Sequence, residues 1–369
     1  MSKMSSLATR QLLTELQSTG VRLRDHGAGV PTRRGGAGPS DHKALTINGR
    51  TVMLPVLNQG ALDSPYAAVR DPNGQPWLEH NGERIASLSF PGRPKFYDLE
   101  TADGVPYWKI ATLHSTDVLA TTVLQECIRF NNRRKSCQFC SIGQSLAAGR
   151  TIAHKTPAQL AEVAKAAVEL DGVKHMVMTT GTPNLTDRGA AVLCDSARAI
   201  KAAAALPIQG QCEPPDDDAW FTRMRDAGIE SLGMHLEVLT PELRARLMPG
   251  KASVSLERYM DAFAAAVDVF GRGQVSTYVL AGLGDSVQTI LTTSERLIEL
   301  GVYPFVVPFV PIGGTPLEDH PAPSSEFMRA VLEPLGGMLR SGKLFAHEIK
   351  AGCGRCGACS SLSSYETDA

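Results

Sequence analysis

The spacing of hydrophobic and polar residues changes near residue 118 and divides the chain into two regions. Before that point, leucines recur at helical spacing within residues 6–19 and predict a helix there. Short β-type runs follow between residues 44 and 110, and hairpin-type turn pairs separate them. These pairs are Asn48-Gly49, Asn73-Gly74, Asn81-Gly82 and Asp103-Gly104. The pattern predicts a β-rich N-terminal cap region over residues 1–118.

From residue 119 onward, apolar strand-like runs alternate with helical patterns. The strand-like runs are 119–126, 173–180, 206–212, 229–237, 274–282 and 302–311. Two of the intervening helices are predicted to begin at Thr156-Pro157 and Thr240-Pro241, where Pro suits the first helical turn. Repeated β/α units without long linkers predict parallel strands joined by right-handed crossovers.

The predicted fold class is therefore α/β, a partial or complete (β/α) TIM-type barrel with a β-rich N-terminal region and a Cys-rich C-terminal tail. The barrel is assigned to residues 119–320. A C-terminal helix and a Cys-rich segment are assigned to residues 321–369. In such barrels the chemistry takes place at the C-terminal ends of the strands, so the residues that follow each strand are the candidates for function.

Composition and charge narrow the function classes. The chain has 369 residues, of which 43% are hydrophobic and 20% charged, and its net charge is -1. These values are typical of a folded enzyme and exclude a disordered or collagen-like chain. The absence of a basic excess argues against a nucleic-acid partner. The sequence has no apolar run long enough for a membrane span and no secretory signal at its start, so a cytoplasmic location is predicted.

A Gly-rich stretch at residues 27–40 contains two arginines and has two interpretations. It can be a loop that closes over an anionic ligand, or a solvated flexible connector. The composition favours the connector.

Three cysteines follow the first predicted barrel strand: Cys127, Cys137 and Cys140. Three thiolates on a four-iron cubane leave one iron open to a ligand. A zinc knuckle is the alternative, but zinc requires a fourth ligand and no His lies nearby in the sequence. The loop therefore favours an iron–sulfur cluster.

A second group of cysteines, Cys353, Cys356 and Cys359, forms a C-x-x-C-x-x-C motif with interleaved glycines. This motif indicates an auxiliary iron–sulfur cluster, a structural zinc site or a redox-active thiol pair. Cys212 can be a fourth ligand, a substrate thiol or an ordinary buried residue. Cys194 falls on a predicted helix and is expected to be inert.

The cysteine loop resembles that of the radical S-adenosylmethionine (SAM) superfamily. In that superfamily the loop after the first strand carries three cysteines, and an aromatic residue, here Phe139, precedes the last. The gap between Cys127 and Cys137 is longer than is usual in the family. The resemblance implies that the cysteine loop holds a [4Fe-4S] cluster that binds SAM.

Other strand ends extend the resemblance over about residues 119–320. It implies that the turn after the second strand holds the amino group of SAM, that polar residues after the fourth strand or the third hold the ribose, and that later turns border the adenine. The residues assigned to the amino group are Thr180, Gly181 and Thr182. The residues assigned to the ribose are His235 and Glu237, with Glu213 as the alternative. Gly282 and Pro311, the latter within VPIGGTPLE, complete the assignment.

The resemblance implies an enzyme in which an electron from the cluster cleaves SAM and the resulting 5′-deoxyadenosyl radical takes hydrogen from a small-molecule substrate. It also implies an external electron donor such as flavodoxin or ferredoxin. The chain most resembles the biotin-synthase-like branch and the radical SAM proteins encoded in nitrilase gene clusters, which suggests a nitrogen-containing metabolite. Sulfur insertion, C–C bond cleavage and rearrangement all stay open as reactions.

Two other function classes were weighed. A non-catalytic zinc or iron–sulfur binding barrel protein would not need the SAM-type strand ends. A hydrolytic metal-dependent barrel would be expected to carry a His-x-His motif at the end of the first strand, and this chain has none there.

Overall fold

The computed structural model describes residues 5–24, 40–132 and 134–367. Most of the Gly-rich stretch, residues 27–39, lies outside the described residues, as does Arg133 in the cysteine loop. Within the described residues no helix is both long and apolar enough to cross a membrane.

The helices and strands alternate regularly in the second half of the chain. The α-helices are α1 (Ser6–Thr19), α2 (Gln59–Leu62), α3 (Tyr107–Ile110), α4 (Ile142–Ala147), α5 (Pro157–Asp171), α6 (Ala190–Ala203), α7 (Ala219–Asp226), α8 (Pro241–Leu247), α9 (Leu256–Phe270), α10 (Val287–Leu300), α11 (Ser325–Ser341) and α12 (Cys353–Cys356). The strands are β1 (Arg22–Leu23), β2 (His42–Ile47), β3 (Arg50–Pro55), β4 (Tyr66–Arg70), β5 (Pro76–His80), β6 (Glu83–Ser89), β7 (Thr112–His114), β8 (Val118–Thr122), β9 (His175–Thr179), β10 (Ile208–Gln211), β11 (Ser231–Gly233), β12 (Val275–Ala281) and β13 (Val302–Pro308).

The N-terminal strands form one six-stranded sheet in the order β1-β4-β5-β6-β2-β3. Two of the predicted turns are tight hairpins, because Asn48-Gly49 and Asn81-Gly82 both adopt positive φ angles, as type I′ turns require. Asn73-Gly74 lies in a longer connection between β4 and β5. Asp103-Gly104 lies between Glu100 and Pro106, which form a single antiparallel bridge and not a pair of strands. The β-rich character predicted for this region is present.

The second sheet has the order β13-β12-β11-β10-β9-β8-β7 and does not close on itself. Strands β8 to β13 are parallel, and β7 pairs antiparallel with β8 at the edge. The fold is therefore a partial TIM-type barrel, as predicted. The sheet begins earlier than expected, because β7 precedes residue 119. The exact division of the chain at residues 118 and 320 stays a prediction.

Local sequence explains why most of the barrel helices form. Thr156 accepts a hydrogen bond from the Gln159 backbone N–H at 3.2 Å, and the Gln159 side chain accepts one from the Thr156 backbone N–H at 2.9 Å. This capping box, with Pro157 in the first turn, begins α5 where the sequence predicts it. The amphipathic helix α9 was not predicted, although it buries Tyr259 and Phe263 against the barrel.

The C-terminal tail enters the barrel at the N-terminal ends of the strands. The backbone N–H of Gly352 donates to His175 Nδ1 at 3.1 Å, and that of Cys353 donates to Gln209 Oε1 at 3.1 Å. His175 begins β9 and Gln209 lies in the first half of β10. The tail therefore lies inside the barrel at the end opposite the cysteine loop.

The N-terminal region packs on the other side of this tail. The Met53 backbone N–H donates to the Ala358 carbonyl at 2.8 Å, and the Gln17 amide donates to the same carbonyl at 3.1 Å. Thr14 lies within 2.8 Å of the Tyr365 hydroxyl. The tail is thus held between the N-terminal region and the barrel.

Candidate active site

The first part of the cysteine loop packs against the turn after β9. The Ile128 backbone N–H donates to the Thr182 carbonyl at 3.0 Å, and the Gly181 N–H donates to the Leu124 carbonyl at 2.8 Å. A Cβ at position 181 would lie 2.0 Å from the carbonyl oxygen of Glu126. Glycine is therefore required at 181 because the two backbone segments touch. These contacts place the turn that is predicted to hold an ammonium group directly beside Cys127.

The second part of the cysteine loop is held by the residues that follow α8. Gln138 N–H donates to the Leu247 carbonyl at 2.8 Å, and Gly250 N–H donates to the Lys135 carbonyl at 3.0 Å. Phe139 packs with an apolar cluster that includes Met248 and Phe309. The loop is therefore anchored at both ends.

The three thiols of this loop are free and half-buried. The Cys140 N–H donates to the Cys137 carbonyl at 3.1 Å, and burial raises the pKa of the Cys140 thiol to about 11, with Cys127 among the nearby charges. In the described part of the chain, no group of three His, Cys, Asp or Glu side chains is arranged to hold a metal ion. That finding concerns a single ion, whereas in a cubane cluster each thiolate binds a different iron.

A buried carboxylate, Glu213, connects the ends of three barrel strands. It forms an ion pair with Arg129 of the cysteine loop and accepts a hydrogen bond from the Thr182 hydroxyl at 2.6 Å. Arg188 lies 3.6 Å from its second oxygen. Burial alone would raise the pKa of Glu213, but the positive charges of Lys251 and Arg129 outweigh burial and hold that pKa below its ordinary value.

Several polar atoms in this group lack hydrogen-bond partners within the described residues. They are Arg129 Nη2, Arg188 Nε, Arg188 Nη1 and Glu213 Oε2, and all are buried. The last two face each other at 3.6 Å as an ion pair, which leaves Arg129 Nη2 and Arg188 Nε without a counterpart. Buried polar atoms are normally paired, so unpaired ones at one place call for an explanation such as a ligand. Here the unpaired donors belong to two guanidinium groups beside the cysteine loop.

A second carboxylate, Glu237, lies at the end of β11 in the left-handed conformation, with φ 63°. Its side chain contacts Lys251 Nζ at 2.8 Å. Burial would lower the pKa of Lys251, but Glu237 and Glu213 more than offset this and raise it above its ordinary value. Lys251 therefore stays charged between two carboxylates.

His235 is neutral and faces a cavity in the barrel interior. Its Nδ1 accepts a hydrogen bond from the Tyr278 backbone N–H at 3.2 Å, so the ring proton is on Nε2. Nε2 is buried and has no hydrogen-bond partner in the described residues. Burial, with a smaller contribution from Lys251, lowers the pKa of His235 to about 3. The ring therefore offers a single N–H donor.

This cavity has a volume of about 280 Å³ and lies between the two groups of cysteines. Phe139, the neighbour of Cys140, lines it on one side, and Cys353 and Cys359 line it on the other. His235 and Gln211 are among its polar wall residues. A small molecule bound there would lie against Cys353, Cys359 and Phe139.

Side chains of the barrel strands contact the C-terminal cysteines. Cys353 Sγ accepts a hydrogen bond from Gln211 Nε2 at 3.2 Å, and Cys359 Sγ lies 3.5 Å from His114 Nε2. Cys353 and Cys356 also pack against the apolar inner face of β8 and β9. The structure thus places His114 beside the C-terminal cysteines, for which the sequence left the fourth ligand open.

Other predicted residues lie away from these contacts. Gly282 has φ 104°, its carbonyl accepts a hydrogen bond from His320 at 3.0 Å, and Pro323 fills the space a side chain would need. Pro311 is half-buried after β13. Cys212 is buried, and its burial raises the pKa of the thiol. These positions have clear packing roles, and their predicted cofactor contacts stay predictions.

Four residues of the site were not singled out from the sequence: Arg129, Arg188, Lys251 and His114. Arg129 follows Cys127 by only two positions, so its closeness to the loop was a usable signal. The other three carry no local pattern, because only the folded barrel brings them to the site.

Part of the chain matches a known protein family. Residues 129–297 match the model of the Radical SAM superfamily. This range includes Cys137 and Cys140, whereas Cys127 and the C-terminal cysteines lie outside it.

The chain is also similar to bacteriochlorophyllide c C-7(1)-hydroxylase of Chlorobaculum limnaeum. The two are 24% identical over 330 residues, which cover 84% of this chain and 80% of the relative. Among solved structures, methylornithine synthase is 18% identical with a TM-score of 0.47, covering 66% of this chain and 68% of that one. A radical SAM methyltransferase from Sphaerobacter thermophilus is 14% identical with a TM-score of 0.45, covering 79% and 76%.

Proposed function

We propose that the chain is a radical SAM enzyme that uses a [4Fe-4S] cluster and SAM, and that Cys127, Cys137 and Cys140 hold that cluster. The match of residues 129–297 to the Radical SAM superfamily supports the first part of this proposal. The support for the second part is that one anchored loop carries three free thiols at the C-terminal end of β8. When bound, the cluster and SAM supply the one-electron chemistry that cleaves SAM and removes a hydrogen atom from a substrate. The residues of the barrel bind and orient the two molecules and keep water away.

The polar residues beside the loop fit the parts of SAM. The Thr180–Thr182 turn offers carbonyl and hydroxyl oxygens to the ammonium group. The unpaired atoms of Arg129 and Arg188 are suited to the carboxylate of the methionine part, because guanidinium groups bind carboxylates in a bidentate manner. Glu237 is suited to accept hydrogen bonds from the two ribose hydroxyls, and the ion pair with Lys251 holds its side chain in place.

A single substitution tests the role of Glu237. Glu237→Gln keeps the size of the side chain but removes its charge, so SAM binding should weaken about 5- to 150-fold, which corresponds to ~1–3 kcal/mol. Calorimetry on the anaerobically reconstituted enzyme measures the affinity, and unchanged iron content shows that the cluster is intact. Glu242→Gln, at an exposed position of α8, is the matched control. An unchanged affinity in Glu237→Gln would move the ribose to Glu213.

The substrate is proposed to bind in the 280 Å³ cavity, where His235 Nε2–H donates a hydrogen bond to an acceptor atom of the substrate. The observation that carries this function is that one cavity is bordered by Phe139 of the cysteine loop and by Cys353 and Cys359 of the C-terminal group. The proposal includes a biotin-synthase-like reaction on a small nitrogen-containing metabolite, with flavodoxin or ferredoxin as the electron donor. The similarity to a hydroxylase adds hydroxylation to the reactions that deserve an assay.

The proposed function is tested by reconstituting the protein anaerobically with iron and sulfide, reducing it in the presence of SAM and measuring 5′-deoxyadenosine. A non-catalytic iron–sulfur or zinc protein would release none.

A second, auxiliary cluster is proposed at Cys353, Cys356 and Cys359, with His114 as its fourth ligand. Its support is the contact of 3.5 Å between Cys359 Sγ and His114 Nε2. The Gln211 amide donates to Cys353 Sγ, and such hydrogen bonds stabilise a thiolate that ligates iron.

Replacing His114 with Gln should remove the histidine nitrogen from this cluster. The expected result is loss of the nitrogen coupling in pulsed electron paramagnetic resonance of the reduced protein, together with a shift in the reduction potential of one cluster. His154→Gln, at an exposed position, should change neither. If the spectrum of His114→Gln matches that of the wild type, His114 is not a ligand.

A further inference from the structure

A cavity lies between the N-terminal sheet and the open edge of the barrel. Its volume is about 380 Å³, and it is lined by residues of β2 and β3 on one side and of β7 and β8 on the other. Five of its lining residues are basic, and none is Asp or Glu. They are Lys43, Arg93, Lys109, Arg150 and Lys155. In a chain with a net charge of -1 this is a marked separation of charge.

Lys155 is the most deeply buried of the five, with 1% of its surface exposed. Its ammonium group donates to the carbonyls of Thr122 and Ile152 at 2.7 and 3.1 Å. Across the described ranges no carboxylate lies within ion-pair distance of it. Buried charges are normally paired, because an isolated one is costly to remove from water. Lys155 therefore lacks the counter-charge that its position calls for.

The remaining lining favours an organic ligand over a bare inorganic ion. Tyr97, Trp108, Ile110 and Leu113 supply an apolar and partly aromatic wall. Arg93 is already paired with Asp98, so the buried ammonium group of Lys155, together with Lys43 and Lys109, is the positive charge on which the proposal relies. A ligand that suits this lining has an apolar body and a negatively charged group.

We propose that this cavity binds a small organic anion, whose carboxylate or phosphate group is neutralised by Lys155. The cavity shares two lining residues, His42 and Met53, with the 280 Å³ cavity between the cysteine groups. Because the two cavities adjoin, we identify the anion as the charged end of the substrate. This identification rests on the proposed function. Binding of the anion can be tested without turnover.

The test is calorimetry of the reconstituted enzyme with benzoate, phenyl phosphate and the neutral benzamide as probes. At pH 7 the wild type should bind at least one anion about tenfold more tightly than benzamide. Comparison of benzoate with phenyl phosphate distinguishes a carboxylate site from a phosphate site. Lys155→Met should abolish the preference for anions. Lys165→Met, at an exposed position of α5, the helix that begins two residues after Lys155, should keep it.

The pH dependence provides a second readout. Burial lowers the pKa of Lys155 to about 7, so at pH 8 most molecules carry a neutral amine in the free protein. A bound anion favours the charged form, so binding at pH 8 should take up a proton, and affinity should fall as the pH rises from 6 to 9. The other titratable or charged groups facing the cavity are His42, Lys43, Arg93, Lys109 and Arg150. Burial also lowers the pKa of Lys43.

Proton uptake is measured from the dependence of the binding enthalpy on the buffer. If Lys155→Met does not fold, Lys43→Met serves as the second variant and should weaken anion binding several-fold, as expected for a lost ion pair. Equal binding of benzoate, phenyl phosphate and benzamide, or no binding of any of them, overturns the proposal. That outcome with SAM cleavage intact leaves the proposed function standing. Loss of SAM cleavage with anion binding intact would contradict the proposed function and leave the anion site standing.

Discussion

Alanine at Cys127 is expected to abolish SAM cleavage and to remove about four irons from each reconstituted chain, one cubane cluster. The loss should be complete because three thiolates are the minimum that holds such a cluster with one iron open. Cys137→Ala and Cys140→Ala should give the same result. The measurements are iron content, the spectrum of the reduced protein and 5′-deoxyadenosine formed per chain.

Cys194→Ala is the control for this prediction, because Cys194 is a buried thiol on α6, packed in the main hydrophobic core. It should keep full iron content and full cleavage. If Cys127→Ala retained full cleavage while Cys137→Ala lost it, the assignment of Cys127 as a cluster ligand would be wrong. Cys127 lies outside the matched range 129–297, so this variant is the most informative of the three.

The barrel could be predicted from the sequence because its signals are local. Apolar runs that alternate with capped amphipathic segments marked β9, β10, β12 and β13, and the Thr156 capping box marked the start of α5. The short strand β7 was missed because three residues carry too little pattern. The helix α9 was missed although its apolar face is pronounced, because it follows α8 with no strand between them and so departs from the strict alternation of strands and helices.

The charged surroundings of the site could not be predicted, because they depend on contacts between distant residues. Arg129 and Glu213 pair across 84 positions, and His114 approaches Cys359 across 245. Neither contact leaves a periodic or spaced motif. The cysteines and the Gly181 turn could be singled out as candidates because each function admits few residue types. Iron is bound by thiols, and only glycine allows two backbone segments to touch as they do at position 181.

The tail shows how such distant contacts constrain function. A Cβ at Gly352 would lie 2.1 Å from the Gln209 side chain, so the backbone there must be glycine to fit inside the barrel. Gln209 in turn donates to Ser276 at 3.0 Å, and Gln211 donates to both Gln209 and Cys353. The C-terminal cysteines are thus connected to strands β10 and β12. A bound metal there would stiffen the inner wall of the cavity.

Triple replacement of Cys353, Cys356 and Cys359 by alanine should lower the iron content from about eight to about four per chain, if both clusters are cubanes. The variant should still cleave SAM, because the cluster proposed for that step is held by thiols of a different loop. It should fail to turn over the true substrate, since the C-terminal thiols border the cavity in which we place that substrate. Iron analysis, 5′-deoxyadenosine formation and consumption of candidate substrates measure these effects separately.

Structural damage must be separated from loss of the cluster in that experiment. Cys356→Ser keeps the shape of the side chain, so a folded single variant that has lost iron isolates the effect of ligation. A structural zinc ion would need a fourth ligand and would be colourless and redox-silent. Wild-type enzyme that reconstitutes with about four irons and one tightly bound zinc would therefore refute the auxiliary cluster, and His114 would then be the fourth ligand of that zinc.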